Sequence, residues 1–206
     1  MIGPAAVIIT MASLSGPVGA CPPPTDVRIE VVAHQDPLGI VSDIGRSDME
    51  ELRRRSGQQE RHRTLGFYSS TLATKIEPKR VTSRSDGCEP MMRATVDLWL
   101  TERRIHVARE AVNLPCLSGV AISHLTHHAA AEGEAFERLV ARIGSHLQSA
   151  TFSATAMAER ARGGDVDLLI KAAVDQELAI YDADRKRMRD ETDTADEIEK
   201  VQNACS

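Results

Sequence analysis

A single long helical pattern limits the fold more than any other feature of this 206-residue sequence. Between Cys116 and Ser149, apolar residues recur at steps of three and four, the spacing that gathers side chains on one face of a helix. Asn113 and Pro115 precede the segment, where asparagine can cap a helix and proline fits its first turn. We therefore predict a long amphipathic helix over residues 116–149. Its apolar face consists of Leu125, Ala129, Phe136, Val140, Ile143 and Leu147.

Further helical patterns occupy the C-terminal part of the chain. Residues 166–188 carry a second apolar face at helical spacing, formed by Val166, Ile170, Ala173, Tyr181 and Met188. The Ala-rich stretch 152–162 is a shorter helical candidate, which would end at Gly163 and Gly164. We predict that the acidic tail, residues 190–205, forms a last helix.

Strand patterns precede the helices. Residues 26–33 and 91–100 alternate apolar and polar side chains, and residues 104–109 continue the alternation after a predicted turn at Glu102 and Arg103. The last two segments predict an antiparallel hairpin. Because the strands come first and the helices after, we predict an α+β fold, with N-terminal strands and the hairpin packed on long C-terminal helices. Less regular candidates are a strand over 64–75 and a short capped helix near Ser47.

Composition narrows the class of protein. The sequence has one Trp, two Tyr and three Phe, and this scarcity of aromatic side chains favours helix-rich packing by aliphatic residues over a β-sandwich. The formal net charge of -5 offers no basic surplus for phosphate contacts, so we expect no nucleic-acid partner. The length is typical of one domain.

The first twenty residues carry no charged side chain, which indicates an export signal. The apolar run that begins at Ala5 is too short for a transmembrane helix, and Val18-Gly19-Ala20 supplies the small residues that signal peptidase requires. We predict a signal peptide over 1–20 and a single domain over 21–206, located in the periplasm or secreted. Together with Cys21 the same small residues also fit a lipobox, and a lipid on this cysteine would anchor the protein to a membrane.

Four cysteines fit an exported protein, because an oxidising compartment favours disulfides. Cys88 and Cys116 flank the predicted strand pair and are the best candidates for a bridge. Cys21 and Cys205 could pair at the two ends of the mature chain, unless Cys21 carries a lipid. A zinc site made of all four cysteines is disfavoured, since no two of them are close in sequence.

A cluster of histidines on the long predicted helix is the motif that points to chemistry. It reads His124-Leu125-Thr126-His127-His128. His124 and His128 are one helical turn apart and lie at the edge of the apolar face, whereas His127 points toward the polar side. Two imidazoles at this spacing can bind a tetrahedral zinc ion.

The motif resembles the His-Glu-x-x-His helix of zincin metallopeptidases. The wider pattern, a strand followed by Cys116, seven residues and the histidines, is similar to uncharacterised exported proteobacterial proteins that carry Cys-x7-His-Glu-x-x-His. The Asp86-Gly87-Cys88 turn and the tail from Asp193 to Cys205 resemble other marks of the same family. The resemblance covers about residues 80–205 and implies a zincin-like α+β fold.

One position departs from the zincin pattern. Leu125 stands where zincins carry the glutamate that acts as general base on the zinc-bound water. Leucine cannot accept a proton, so the resemblance does not extend to the classical peptidase mechanism. We therefore assign no catalytic residue.

A catalytic-type zinc site also needs a third protein ligand. Glu177 lies near the centre of the apolar face of the 166–188 helix, where a carboxylate is costly unless it binds a metal or a cation. We predict that His124, His128 and Glu177 bind the zinc. The alternatives are an ion pair of Glu177 with Arg138 or Arg142, and Glu132 as the third ligand.

Three functions fit these patterns. The first is an exported envelope protein, structural or bound to a protein partner, whose histidine pair is vestigial. The second is a metal-binding protein that uses His124 and His128, and the third is a metal-dependent hydrolase with a different base. The sequence has no Gly-x-Ser-x-Gly elbow, Walker loop or dinucleotide fingerprint. We expect the first, a degenerate and non-catalytic relative of zinc metallopeptidases.

Overall fold

The structure is a computed structural model of the whole chain. It describes residues 5–8, 27–55, 65–81, 91–148, 166–194, 196, 199–200 and 203–205. The helix predicted over 152–162 lies outside the described residues, as do Cys21 and Cys88.

Strands and long helices alternate little along the chain, and the predicted α+β class is confirmed. β5 pairs with β2, β3 and β4, and β1 continues the sheet beyond β2. β1 is antiparallel to β2, and β3 is parallel to β5. The elements are β1 (Ala5–Ile8), β2 (Val27–Gln35), β3 (Gly39–Val41), α1 (Arg46–Arg55), β4 (Gly66–Val81), β5 (Met91–Val107), α2 (Pro115–Gln148) and α3 (Val166–Thr192), with a short 3-10 helix at Arg109–Ala111 before α2.

The two long helices agree with their sequence patterns. α2 begins at Pro115, which occupies the first helical position as predicted. α3 runs four residues further than the predicted end at Met188. The Thr192 hydroxyl donates to the Met188 carbonyl, and the Asp193 backbone N–H donates to the Arg189 carbonyl. Residues 5–8, which lie inside the predicted signal peptide, pair with β2.

The predicted hairpin is wrong, because residues 91–107 form the single strand β5. Glu102 has a φ of 53°, in the left-handed region that residues other than glycine seldom adopt. Its backbone N–H donates to Asp36 Oδ2 at 3.2 Å. One residue in this conformation shifts the alternation of a strand by one position, as in a β-bulge. The buried side chains change from even to odd positions: Ala94, Val96, Leu98 and Leu100, then Ile105 and Val107.

The chain divides into two compact units, and the boundaries between them fall within β4, β5, α2 and α3. The first unit comprises 1–35, 72–99 and 137–181, and the second comprises 36–71, 100–136 and 182–206. Buried residues from β2, β5, α2 and α3 form the core of the first unit; they include Val31, Val96, Leu139, Ile143 and Ile170.

The second unit contains an apolar cluster that includes Leu125 of the histidine motif. Its buried members are Met49, Ile105, Val107, Ala108, Ala111 and Leu125. Backbone hydrogen bonds close the surrounding loops: Ala108 N–H donates to the Leu65 carbonyl at 2.8 Å, and Arg109 N–H donates to the Ile44 carbonyl at 3.0 Å. Leu125 therefore belongs to a core that α1, β5 and α2 build together.

A disulfide joins Cys116, in the first turn of α2, to Cys205 in the tail after α3. The two cysteines are 89 residues apart in sequence, and their Cα atoms are 5.8 Å apart. The predicted Cys88–Cys116 bridge is therefore wrong, and so is a Cys21–Cys205 pair. The sequence argument linked Cys116 to the strands before it, whereas the chain after α3 returns to the beginning of α2.

Gly66 is required by a close approach at the start of β4. A Cβ added there would overlap the carbonyl oxygen of His106 and lie 2.9 Å from Leu125 Cδ1. The first of these atoms belongs to the backbone of β5, which cannot move as a side chain can. The absence of a side chain at Gly66 thus lets β4 pack against β5 beneath Leu125.

We predict that Gly66→Ala destabilises the protein by about 1–3 kcal/mol, the usual cost of overpacking a filled core. Urea unfolding followed by circular dichroism measures the change. Gly119→Ala is the matched control, since a Cβ at Gly119 on α2 meets nothing within 4 Å. Alanine should raise helix stability there by up to about 1 kcal/mol. Equal effects at the two glycines would contradict the packing explanation.

Candidate metal site

The histidine pair of α2 has the geometry that the sequence predicts. His124 Nε2 and His128 Nε2 lie 3.1 Å apart, and each side chain is 15 % exposed. The two rings meet edge to face, with centroids 4.8 Å apart. His127 is exposed, as expected for the polar side of the helix. The pair is therefore half-sheltered, with both ring tips turned to one point.

Asp193 completes the cluster from a segment more than 60 residues later in the sequence. It is the first residue after α3, and its backbone N–H donates to the Arg189 carbonyl at 2.8 Å. Its Oδ1 lies 3.1 Å from His124 Nε2 and 2.9 Å from His128 Nε2. Three potential ligand atoms from two distant segments thus converge, and together they could hold a metal ion.

The three atoms of this triangle lie within hydrogen-bond distance of one another, and the protonation of each Nε2 decides which contacts are attractive. Each Nε2 carries either a proton or a lone pair. If both nitrogens carry protons, both can donate to Asp193, but the two N–H groups face each other. If one carries none, its lone pair faces the carboxylate oxygen. A cation at the centre would attract all three atoms at once, so this donor set could hold a metal ion.

The electrostatics also favour an ionised carboxylate at the centre. Burial by itself would raise the pKa of Asp193, but hydrogen bonds from His124 and His128 outweigh burial and hold this pKa well below its ordinary value. Asp193 is therefore a carboxylate at neutral pH and available as a metal ligand.

The predicted third ligand, Glu177, is not part of this cluster; Asp193 is. Glu177 lies in the first unit, where its oxygens bond to Arg142 Nε and His146 Nδ1, each at 3.0 Å. This is the ion pair that the sequence offered as the alternative. Glu132, the weaker candidate, is 5 % exposed and bonds to Arg185 Nε at 2.7 Å. The buried carboxylates Glu132 and Glu177, one on each helix, are thus paired with basic side chains.

The sequence did not predict Asp193 as a ligand, because this residue lies in the acidic tail, beyond the end of the apolar pattern. The periodicity of α3 marks its buried face, and Asp193 falls just after that helix ends. The tail also carries Asp196, Glu197 and Glu199, so its composition does not distinguish Asp193 from the other acidic residues.

Two cross-links flank the cluster. The Cys116–Cys205 disulfide lies two turns before His124, and the Glu132–Arg185 ion pair lies one turn after His128. In the second unit the end of α3 and the tail therefore run antiparallel to α2. Asp193 is fixed between a covalent bond on one side and a buried ion pair on the other.

A polar network extends from Glu132. Arg103 Nη2 donates to the Ala129 carbonyl at 2.8 Å, and Arg103 Nε donates to the Tyr68 hydroxyl at 3.3 Å. Burial, with a smaller contribution from its hydrogen bond to Glu132, raises the pKa of Tyr68 to about 12. The phenol is therefore protonated at neutral pH and supports the carboxylate of Glu132 from β4.

A second histidine arrangement in the same unit is structural. His106 Nε2 lies 3.0 Å from Ser69 Oγ, and its ring stacks on Phe67 at 4.4 Å. Asp43 faces the other ring nitrogen, in the order seen in serine hydrolases. Its Oδ1, however, is 3.7 Å from Nδ1, too far for a hydrogen bond, and the Asp43 side chain is 70 % exposed.

No family model, curated protein or solved structure matches this chain. Among the described residues, no helix is long and apolar enough to span a bilayer.

His106 predicts a loss of stability in mild acid. Burial lowers its pKa despite the opposing effect of Asp43. Above about pH 6.5, the ordinary histidine pKa, the ring is neutral in both states and contributes nothing. Below that pH the unfolded chain takes up the proton first. The free energy of unfolding then falls by at most about 1.4 kcal/mol per pH unit, until the folded pKa is passed.

Urea unfolding at pH 7.5 and 5.0 tests this, with His106→Gln as the comparison. Between the two pH values, the free energy of unfolding of the glutamine variant should fall less than that of the wild type. All other titratable groups are the same in the two proteins, and only the wild type has an imidazole at position 106. An equal loss in both proteins would show that the buried imidazole is not the cause.

Proposed function

We propose that this protein is an exported, non-catalytic relative of zinc metallopeptidases that binds one zinc ion through His124, His128 and Asp193. The observation that carries the proposal is the convergence of Nε2, Nε2 and Oδ1 within 2.9–3.1 Å of one another. Nitrogen and oxygen ligands from two histidines and a carboxylate are a common set for zinc with three protein ligands.

The spacing of the donor atoms supports zinc. With ligands at about 2.0–2.1 Å, a tetrahedral zinc ion holds its ligand atoms about 3.3 Å apart. The three contacts here are shorter by only a few tenths of an ångström, which small side-chain rotations can supply. Nδ1 of His124 is buried and has no hydrogen-bond partner among the described residues. Since an outer partner normally strengthens a ligating histidine, we expect a moderate affinity.

The residue at the position of the zincin general base, Leu125, argues against hydrolysis. Leu125 is buried in the apolar cluster with Ile105 and Val107, on the side of α2 that packs against β5. Glu132, one turn beyond the histidines, is held by Arg185 and cannot serve as a free base. A zinc-bound water would have a lowered pKa, but the described residues provide no carboxylate at the zincin position to take its proton.

Export is the second part of the proposal. It is supported by the uncharged N-terminal segment with Val18-Gly19-Ala20, and by the use of cysteine as a disulfide in the described part of the chain. Cleavage after Ala20 would remove β1 and leave β2 as the edge strand of the sheet. A periplasmic or extracellular setting would keep the Cys116–Cys205 bond oxidised. A lipid on Cys21 remains the alternative mode of export.

Metal stoichiometry tests the zinc site directly. We expect about one zinc per chain, measured by elemental mass spectrometry on protein purified without a histidine tag. His124→Ala with His128→Ala should abolish binding, and Asp193→Asn should weaken it, because each change removes a ligand.

His127→Ala is the matched control. It removes a histidine from the same helix on its exposed side, so it should leave the stoichiometry unchanged. Zinc lost equally in the His127 variant, or no zinc bound by the wild type in excess metal, would contradict the proposal. The zinc-loaded protein should also be silent in a broad peptidase assay, and activity that disappears with His124→Ala would overturn the non-catalytic assignment.

Export predicts a mature N-terminus at Cys21. Expression of the full chain in a Gram-negative host, followed by N-terminal sequencing and intact mass of each fraction, measures it. Soluble periplasmic protein that begins at Cys21 supports cleavage after Ala20, and an acylated Cys21 in the membrane fraction supports the lipoprotein alternative. Uncleaved chain confined to the cytosol would contradict both.

A further inference from the structure

The edge of the sheet at β2 holds a strand that the mature protein would lose. Residues 5–8 form β1 and pair antiparallel with residues 30–33 of β2. The proposed cleavage after Ala20 removes β1, and with it the hydrogen-bond partners of the β2 backbone along this edge. Because the edge of a strand accepts one partner strand at a time, β1 marks residues 30–33 as a place where another strand fits.

We propose that the mature protein forms a twofold-symmetric dimer, in which β2 of each copy takes the place of β1 on the other. The two strands run antiparallel, with Val32 opposite Val32 of the second copy. The inference rests on the proposed export, because the dimer needs β1 to be removed, and it is independent of the zinc site.

The new N-terminus is poorly suited to replace β1. It begins Cys21-Pro22-Pro23-Pro24, and proline has no backbone N–H to donate to a neighbouring strand. β2 itself contains no proline, so each of its residues keeps a backbone donor. A sheet edge that exposes such N–H and C=O groups readily pairs with another chain.

The two faces of β2 differ in chemistry. Val31 is buried, at 0 % exposed, whereas Glu30, Val32 and His34 are partly exposed on the opposite face. The ring of His34 stacks on Trp99 of β5, with centroids 5.7 Å apart. This contact holds the imidazole on the same face as the carboxylate of Glu30. A second copy of β2 therefore meets an alternation of acidic, apolar and basic side chains.

Charge selects the register of the pair. A twofold axis perpendicular to the sheet keeps each face on its own side, so only residues of the same parity lie opposite each other. Glu30 opposite Glu30 or Asp36 of the second copy would bring like charges together. Opposite Val32, the carboxylate would gain no partner. With Val32 opposite itself, each Glu30 faces His34 of the second copy and can accept its N–H.

The buried face fits the same register. Val31 then lies opposite Ala33 of the second copy, so apolar side chains meet where β1 pairs with these two residues in the full chain. The dimer thus restores cover to the part of the core that cleavage exposes. Because the pairing is isologous, it closes the β2 edges of both copies at once, and assembly through β2 ends at two.

A cysteine cross-link tests the register. Residues directly opposite each other in an antiparallel pair have Cα atoms about 4.5–5.5 Å apart, which a disulfide can bridge. Val32→Cys, purified from the periplasm of a Gram-negative host, should therefore form a dimer linked at position 32, seen on non-reducing gels and by peptide mapping. Thr95→Cys is the matched control, since it lies on the same face of β5, one strand in from the edge, and should not link.

Charge reversal tests the cross-strand pair. Glu30→Lys places a cation opposite His34 in both symmetry-related pairs, so we expect the dissociation constant of the dimer to rise about 10- to 100-fold. Glu30→Lys with His34→Glu exchanges the two charges and should restore most of the affinity. Sedimentation analysis measures the dissociation constants, and circular dichroism should show that both variants remain folded.

N-terminal sequencing of the same samples separates the possible failures. A chain that begins at Cys21 and sediments as a monomer at every concentration overturns the dimer and leaves export standing. A dimer that Val32→Cys does not link, or that the single and double charge variants weaken equally, overturns this pairing. A chain that keeps residues 1–20 contradicts export and also the dimer, because β1 still fills the edge.

Discussion

The ion pair between Glu132 and Arg185 is the interaction on which the site of the second unit depends. Its carboxylate is 5 % exposed, and separating a buried carboxylate from its cation is worth about 3–5 kcal/mol. A shift of α3 along α2 by one turn would break the pair, so the pair selects one register. In that register Asp193, two turns after Arg185, stands opposite the histidines, one turn before Glu132. In the same alignment, the disulfide joins the beginning of α2 to the tail after α3.

Leu125 is a core residue on the helix that carries the histidine pair. Its side chain fills the apolar cluster beside Ile105 and Val107, and Gly66 is left without a side chain so that β4 can approach it. A glutamate at this position would carry its charge into that cluster, where an unpaired carboxylate is strongly disfavoured. Neighbouring residues of one helix therefore face two different surroundings. His124 and His128 point toward Asp193, and Leu125 points into the apolar core.

Local patterns predicted the features whose causes are local. The period of apolar residues identified α2 and α3, and the alternation at 91–100 identified the first part of β5. The spacing of His124 and His128 gave two of the three members of the cluster. The hairpin was mistaken because a break in alternation has the same appearance whether the chain turns or a single residue such as Glu102 takes a left-handed conformation.

The two long helices, the α+β class and the histidine pair could be predicted from the residue pattern, because each follows from residues within a few positions of one another. That Asp193 and not Glu177 joins the histidines, and that Cys116 bonds to Cys205, became clear from the three-dimensional fold. Both facts depend on how the end of α3 and its tail align with α2. That alignment is fixed by contacts between residues 53 or more positions apart, such as Glu132 with Arg185, which no local pattern records.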